Sequence, residues 1–387
     1  MIHNFDEQVE RWHTDSKKYS EEFFSPDVIP MWIADTDFKS PAPMVDAIVS
    51  RAQEGIYGYT GISTRLRQAA QKWQCERFGF KFPAEAVEFV PGVIAGAICA
   101  VRALTRPGDK VIVHTPAYPP FTQGIQNNGR YVYANALVLK DGHYEINFEE
   151  FEEMCRDART RAFILCNPHN PTGRVFTQKE LYRMGEICLK YHVRIISDEI
   201  HSDIVYKGHR HTSFAGISKE FADQCVTLIN PSKTFNVPGF RTAAFIAMNP
   251  EIHELVHSIV VSNKAFGENI FGTLAFCVCY EKCAYYADQL VEYLQNNVEL
   301  TRKTINGIPG MHLIEPEGSY LLWVDCRGMG LQQSALMDRM IHGAKVGVHD
   351  GLNFGEEGRG FFRINIGCTK KTLCEALGRI QREFAGE

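Results

Sequence analysis

From about residue 85 to residue 250, short apolar runs rich in β-branched residues alternate with segments whose apolar positions recur at helical spacing. Six runs read as strands: Val87–Val90 (VEFV), Lys110–Pro116 (KVIVHTP), Ala162–Pro168 (AFILCNP), Arg194–Ile200 (RIISDEI), Val226–Asn230 (VTLIN) and Ala243–Met248 (AAFIAM). Several are continuous apolar runs, as expected when helices cover both faces of a mostly parallel sheet. Between the third and fourth, TQKELYRMGEICLKYH opens with Thr177 and Glu180 at the spacing of a capping box and continues with helical periodicity. The pattern predicts an α/β fold.

Beyond residue 285 the pattern changes. A long helical stretch around YYADQLVEYLQNNVEL leads to strand SYLLWVDC, helix SALMDRMIHGA, strand FFRINIG and a last helix around KTLCEALGRIQREFA. This predicts a smaller α+β domain joined by the N-terminal segment. The expected division is a large domain over residues 45–285 and a small domain built from residues 1–44 and 286–387.

Composition narrows the function. A chain of 387 residues has room for two domains. A net charge of −5 weighs against nucleic acid as the main partner, since phosphate binding calls for a basic face. No apolar run approaches the roughly 20 residues that span a bilayer, and the polar opening MIHNFDEQVERWHTDSKKYS is unlike a secretory leader. No membrane partner is expected, and the expected compartment is the cytoplasm. The 12 cysteines include no C-x-x-C pair and read as buried thiols; Cys277, Cys279 and Cys283 lack zinc spacing, so no metal is expected. His209 and His211 fall in a polar turn and read as a solvated loop.

In open α/β sheets, functional residues collect at the carboxyl ends of the strands. Gly92, Tyr118, Asn170, Asp198 and Lys233 fall at such ends one after another. That set matches the needs of pyridoxal 5'-phosphate (PLP): a lysine for a Schiff base, an acid facing the ring nitrogen, donors for the phenolic oxygen, a stacking face and a phosphate cup. Asp198 lies in an apolar run, where an unpaired carboxylate is costly and a pyridinium partner would offset the cost. Asn170, in the turn-rich NPHNPTG, and His201 can reach the phenolic oxygen. Tyr118, between prolines in PAYPPF, suits stacking. A glycine turn before VIAGAICAVRAL offers the N–H groups of Val93 and Ile94 to a phosphate, with the Ser232 hydroxyl and Arg241 completing the cup. Singly these residues have plain structural readings, such as a turn asparagine, a surface aromatic or a solvated arginine. In this order, each at a strand end, packing alone is a poor account of them.

With these residues in view, the sequence resembles fold-type I PLP enzymes of the class I/II aminotransferase superfamily. PMWIADTDF, YGYTG, PAYPPF, CNPHNPTGRVF, SDEIHSDIVY and SKTFNVPGFR look like the MalY/PatB branch, the cystathionine β-lyase or C–S lyase group. The resemblance runs from about residue 3 to the last helix. It implies a mostly parallel seven-stranded sheet covered by helices, plus a smaller α+β domain. It also implies Lys233 as the Schiff-base lysine, Asp198 at the ring nitrogen, Asn170 and His201 near the phenolic oxygen, and Tyr118 as the stacking residue. Tyr59 corresponds to a tyrosine that crosses a homodimer interface to the neighbouring phosphate, and Arg363 to the arginine that grips the substrate α-carboxylate. Trp32 and Asp35 correspond to the segment lining the substrate mouth. Thr36 stands where methionine is expected, which points to an altered entrance rather than altered chemistry. The implied reaction is α,β-elimination from a cystathionine- or cysteine-type substrate, giving a thiol or sulfide, pyruvate and ammonia. The alternative is a class I/II aminotransferase, which needs the same residues. A protein that binds the cofactor without turnover is a third reading. A nicotinamide enzyme is disfavoured because no G-x-G-x-x-G follows a strand.

Overall fold

The computed structural model describes residues 1–385. Its central sheet has seven strands: β1 (Val87–Val90), β2 (Lys110–Thr115), β3 (Tyr131–Ala136), β4 (Thr160–Cys166), β5 (Arg194–Asp198), β6 (Cys225–Ile229) and β7 (Ala243–Ile246). They lie in the order β1-β7-β6-β5-β4-β2-β3. Strands β6, β5, β4, β2 and β3 pair in parallel, and β7 alone runs antiparallel to both its neighbours. Residues of β1 and β6 are buried at every position, because helices cover both faces.

The six runs read from the sequence form six of these strands, each ending one to two residues before the predicted end except Val87–Val90, which matches at both ends. Strand β3 was not among them. It lies at one edge of the sheet, bonded to β2 alone, and leaves Tyr131 exposed, so its sequence YVYANA lacks the continuous apolar signature of its neighbours. The capping box at Thr177 forms: the Glu180 N–H donates to the Thr177 hydroxyl at 3.2 Å, and the Thr177 N–H donates to the Glu180 carboxylate at 2.7 Å.

A second sheet of β8 (His312–Leu313), β9 (Leu321–Asp325), β10 (His349–Asp350) and β11 (Phe361–Asn365) is antiparallel, in the order β8-β9-β11-β10. It packs with the helices Ala284–Ile305 and Lys370–Ala385. The N-terminal segment joins this part of the chain: Ile29–Pro30 pair in parallel with Val346–Gly347, and Asn365 donates to the carbonyls of Ile33 and Asp35 at 2.6 Å each. All cysteines are free thiols, buried except Cys75 and Cys374.

The helix Val93–Leu104 follows β1 and crosses the sheet face. Gly92 starts it at φ 116°, a backbone that other residues rarely adopt. Gly96 lets it lie close to the sheet, since a Cβ there would meet Leu228 Cδ2 at 2.8 Å and Val90 Cγ2 at 2.9 Å. Gly96→Ala therefore forces the helix outward, at a cost of roughly 1–3 kcal/mol, the usual range for overpacking a core. Chemical denaturation of the cofactor-free protein should show that loss, and an unchanged midpoint would mean the helix shifts freely.

Candidate functional site

A cavity of about 210 Å³ opens at the carboxyl ends of the parallel strands, and Gly92, Tyr118, Asn170, Asp198 and Lys233 all line it. Val93, Ile94, His201, Ser232 and Arg241 line it as well. One topological fact gathers these residues: parallel strands deliver their following loops to the same edge of the sheet.

Asp198 is the last residue of β5 and is buried. Its carboxylate accepts from the Ile200 N–H at 3.0 Å, within its own turn. Burial pushes its pKa up to about 7, against the smaller lowering effects of that N–H and of Lys233. Behind it, Glu199 is fully satisfied: it accepts from Ser197, Ser213 and the Phe214 N–H and lies 3.1 Å from His211 Nε2. His211 is therefore buried and paired, contrary to the loop expected from the sequence, while His209 is exposed. The carboxylate of Glu199 draws His211 inward because a buried anion needs donors.

Lys233 lies in the short helix Ser232–Phe235 after β6. Two anchors fix this turn. The Thr234 hydroxyl donates to buried Asp203 at 2.8 Å. Asn236, held at φ 56°, donates through Nδ2 to the carbonyls of Thr36 and Phe38 and accepts from the Thr36 N–H. The amine thus sits against the N-terminal segment, donating to the Ala34 carbonyl at 2.6 Å, the same carbonyl that accepts from the Tyr320 hydroxyl at 3.0 Å. Desolvation lowers its pKa to about 8, with Asp35 opposing and Arg363 assisting.

The first turn of the helix Val93–Leu104 faces the cavity, and its leading N–H groups have no carbonyl partner within the helix. Ser232 is buried, with its N–H donating to Asn230 Oδ1 at 2.8 Å, and Arg241 lines the cavity from an exposed position. His201 is buried and kept neutral by desolvation and two nearby cations, with Nδ1 3.3 Å from the Ser319 hydroxyl. Tyr118 presents a half-buried ring, packed edge-on against Phe121 at 5.7 Å.

Arg363, on β11, is buried to 2% exposure, yet among the described residues no carboxylate pairs with it. Nη1 donates to Asn170 Oδ1 at 2.8 Å, Nη2 donates to the Trp32 carbonyl at 2.8 Å, and Nε has no partner. Desolvation lowers its pKa to about 10. A buried cation with neutral partners and an orphaned N–H is a place for an anion. The Arg363 bond also fixes the Asn170 amide, occupying its oxygen and leaving Nδ2 to donate elsewhere.

Four residues named from the sequence stand apart from the cavity wall: Arg363, joined to it through Asn170, and Trp32, Asp35 and Tyr59. Trp32 contributes its carbonyl to Arg363, while its ring packs against Phe23 and Phe24 at 4.7 and 5.7 Å. The Asp35 carboxylate is engaged by Arg11 at 2.8 Å, with Lys18 at 3.8 Å, and so serves to pin its segment. Tyr59 is fully exposed. Thr36 is buried at 1% exposure with its hydroxyl unpartnered; a Cβ on Gly367 would meet its methyl at 2.7 Å, so it faces Gly367 and does not border the cavity. The sequence reading missed Ala34, Asn230, Cys166 and Tyr320. Only Asn230, at a strand end, carries a signal that could have flagged it, since a backbone carbonyl such as that of Ala34 has none.

Comparisons with known proteins agree along the length of the chain. The family model for aminotransferase class I and II matches residues 35–380. Cystathionine beta-lyase PatB of Bacillus subtilis is 38% identical over 98% of this chain and 99% of its own. The crystal structure of cystalysin from Treponema denticola, which contains a pyridoxal 5'-phosphate cofactor, superposes with a TM-score of 0.96 at 31% identity and covers both chains fully. The PLP-bound C–S lyase from Staphylococcus hominis gives 0.92 at 29% identity, over 99% of this chain and 98% of that one. The chain belongs to the class I and II aminotransferase family.

Proposed function

We propose that this protein is a PLP-dependent carbon–sulfur β-lyase that cleaves cystathionine or related cysteine S-conjugates to a thiol or sulfide, pyruvate and ammonia. The observation that carries this reading is one cavity lined by Lys233 and Asp198 whose lining residue Asn170 is bonded to the anion-free Arg363, in a chain similar throughout to proteins named as cystathionine β-lyases.

The cavity fits the cofactor. Asp198 is a buried acid short of donors, which a protonated ring nitrogen would relieve. The N-terminal turn at Val93 and Ile94, the Ser232 hydroxyl and Arg241 would hold the phosphate. Tyr118 would lie against the ring, while Asn170 Nδ2 and His201 would reach the phenolic oxygen. When bound, PLP supplies an aldehyde that captures the substrate amine and a ring that draws electrons away from the substrate Cα.

The chain's own groups do the rest. Arg363 receives the α-carboxylate, for which its unpartnered Nε and neutral surroundings leave it free. Lys233 Nζ takes the proton from the substrate Cα. A lysine lowered to about 8 holds far more free amine at neutral pH than one at the ordinary 10.5. The C–S bond then breaks, the thiolate leaving with the bonding pair, and the released enamine takes up water to give pyruvate and ammonia. The Ala34 carbonyl, itself held by the Tyr320 hydroxyl, accepts from the Lys233 amine when that amine is free.

In this reading the working unit is a homodimer, with Tyr59 of each subunit reaching the phosphate site of the other. Exposed Ile56 and Tyr57 flank it, and exposed Val45 and Val49 line an apolar groove with Met44, Ile48 and Phe240. The pairing of Ile29–Pro30 with Val346–Gly347 supports grouping residues 1–44 with 286–387 as a small domain beside a large domain of residues 45–285.

Purified protein should release pyruvate from cystathionine or cysteine with no 2-oxoacid added, and Lys233→Ala should lose nearly all of that activity. Turnover that requires a 2-oxoacid would mark an aminotransferase instead. Light scattering should give twice the chain mass, and an active monomer would refute the role of Tyr59. Asp198→Asn should stabilise the cofactor-free protein. Because the folded carboxyl titrates near 7 and the unfolded one near 3.8, the wild type loses stability as pH rises between these values. The gain from Asn should accordingly be absent below pH 3.8, grow up to about pH 7 and level off above, as thermal melts of the two proteins would show.

A further inference from the structure

Arg363 has a neighbour that neither the sequence reading nor the proposed reaction uses. His349 is its cross-strand partner on β10, the pairing that places both side chains on one face of the sheet. His349 Nδ1 lies 3.1 Å from Arg363 Nη2. A guanidinium has only donors, so Nδ1 must accept, the ring must be neutral, and its proton must sit on Nε2.

The surroundings fix that ring in turn. It packs against Phe354 at 5.0 Å between centroids and against Trp32 at 6.2 Å. Phe354 also lies under the guanidinium at 4.9 Å. The segment carrying these two residues is tied to the cofactor wall: the Ala117 N–H, next to Tyr118, donates to the Phe354 carbonyl at 2.7 Å, and the Thr115 hydroxyl donates to Glu357 at 3.0 Å. Nη2 therefore spends both hydrogens, one on Trp32 O and one on His349, while Nη1 is held by Asn170. The guanidinium plane is fixed on three sides by neutral acceptors, and none of them competes for its charge. Burial and Arg363 itself push the His349 pKa down to about 3, which keeps the ring an acceptor.

We propose that His349 is a positioning residue for substrate binding: it orients Arg363 so that the guanidinium, uncompensated by any protein anion, is presented to the substrate carboxylate. The inference rests on the reading of Arg363 as the carboxylate grip. It predicts that His349 controls affinity for the carboxylate and leaves the chemistry at Cα alone.

The test uses PLP-loaded protein and three variants. His349→Asn keeps an acceptor oxygen where Nδ1 lies. His349→Asp has the same shape but adds an anion that would pair with Arg363, and His349→Leu removes the acceptor. Binding is read from the cofactor absorbance on titration with an amino acid and with the matching amine that lacks the carboxylate, alongside KM and kcat for the lyase reaction. Loss of the acceptor in the Leu variant should weaken amino-acid binding and raise KM roughly tenfold, as expected for one charge-assisted hydrogen bond, with kcat little changed. Asn should stay near the wild type, and Asp should raise KM at least as much as Leu. Amine binding should be the same in all four proteins. Should Leu fail to fold, the Asn–Asp pair still decides, because the two differ by one charge at constant shape. Equal KM in Asn and Asp, or amine and amino acid weakened alike, would overturn the role of His349. A wild type that does not distinguish amino acid from amine would instead overturn the reading of Arg363.

Discussion

The site depends on desolvated charge held without a protein counter-ion. Asp198, Lys233 and Arg363 are each shifted from their ordinary pKa chiefly by burial, the acid upward and the two bases downward. Elsewhere the fold settles its buried charges internally: Glu199 with His211, Asp203 with Thr234 and Trp73, Arg174 with Glu317 and Glu180. The contrast within one molecule is the informative point. A chain able to satisfy Glu199 completely leaves Asp198, the adjacent residue, with a single turn N–H. Stability would be served by pairing these groups or removing them, so the unmet demand is kept for a ligand that meets it.

Geometry and electrostatics reach this state together. Parallel strands bring the loops to one edge, and a glycine on each side of the first helical turn sets how closely backbone N–H groups approach. The remaining wall comes from far away in the chain. The Ala34 carbonyl touches an amine 199 residues later, and Arg363 reaches the carbonyl of a residue 331 positions earlier. The cavity is therefore closed partly by the N-terminal segment through Ala34, with Arg363 joined to its wall through Asn170.

Much of this was legible in the sequence, for a physical reason. Buried parallel strands are apolar at nearly every position, so β4 and β5 declare themselves, and the polar residues that follow them stand out against that background. The residues that stayed hidden act differently. Edge strand β3 has one wet side and one neighbour. Ala34 contributes only backbone. His349 acts through a cross-strand pairing that no local pattern encodes. His211 looked like a solvated loop because its partner, Glu199, is next to it in space and twelve residues away in sequence. Trp32 and Asp35 fell in the right segment, but their side chains hold that segment in place and only its carbonyls reach the site.

The N-terminal roof has a consequence for biosynthesis. Residues 29–38 are held by Arg11 and Lys18 within their own segment, yet their outer bonds run to Val346–Gly347, Asn365 and the Gly367 carbonyl. On a ribosome these partners emerge well after the roof segment and after Lys233 itself. The nascent sheet can collapse early, but its lysine stays under an open sky until those partners have emerged, and an aldehyde that arrives before then meets half an enclosure.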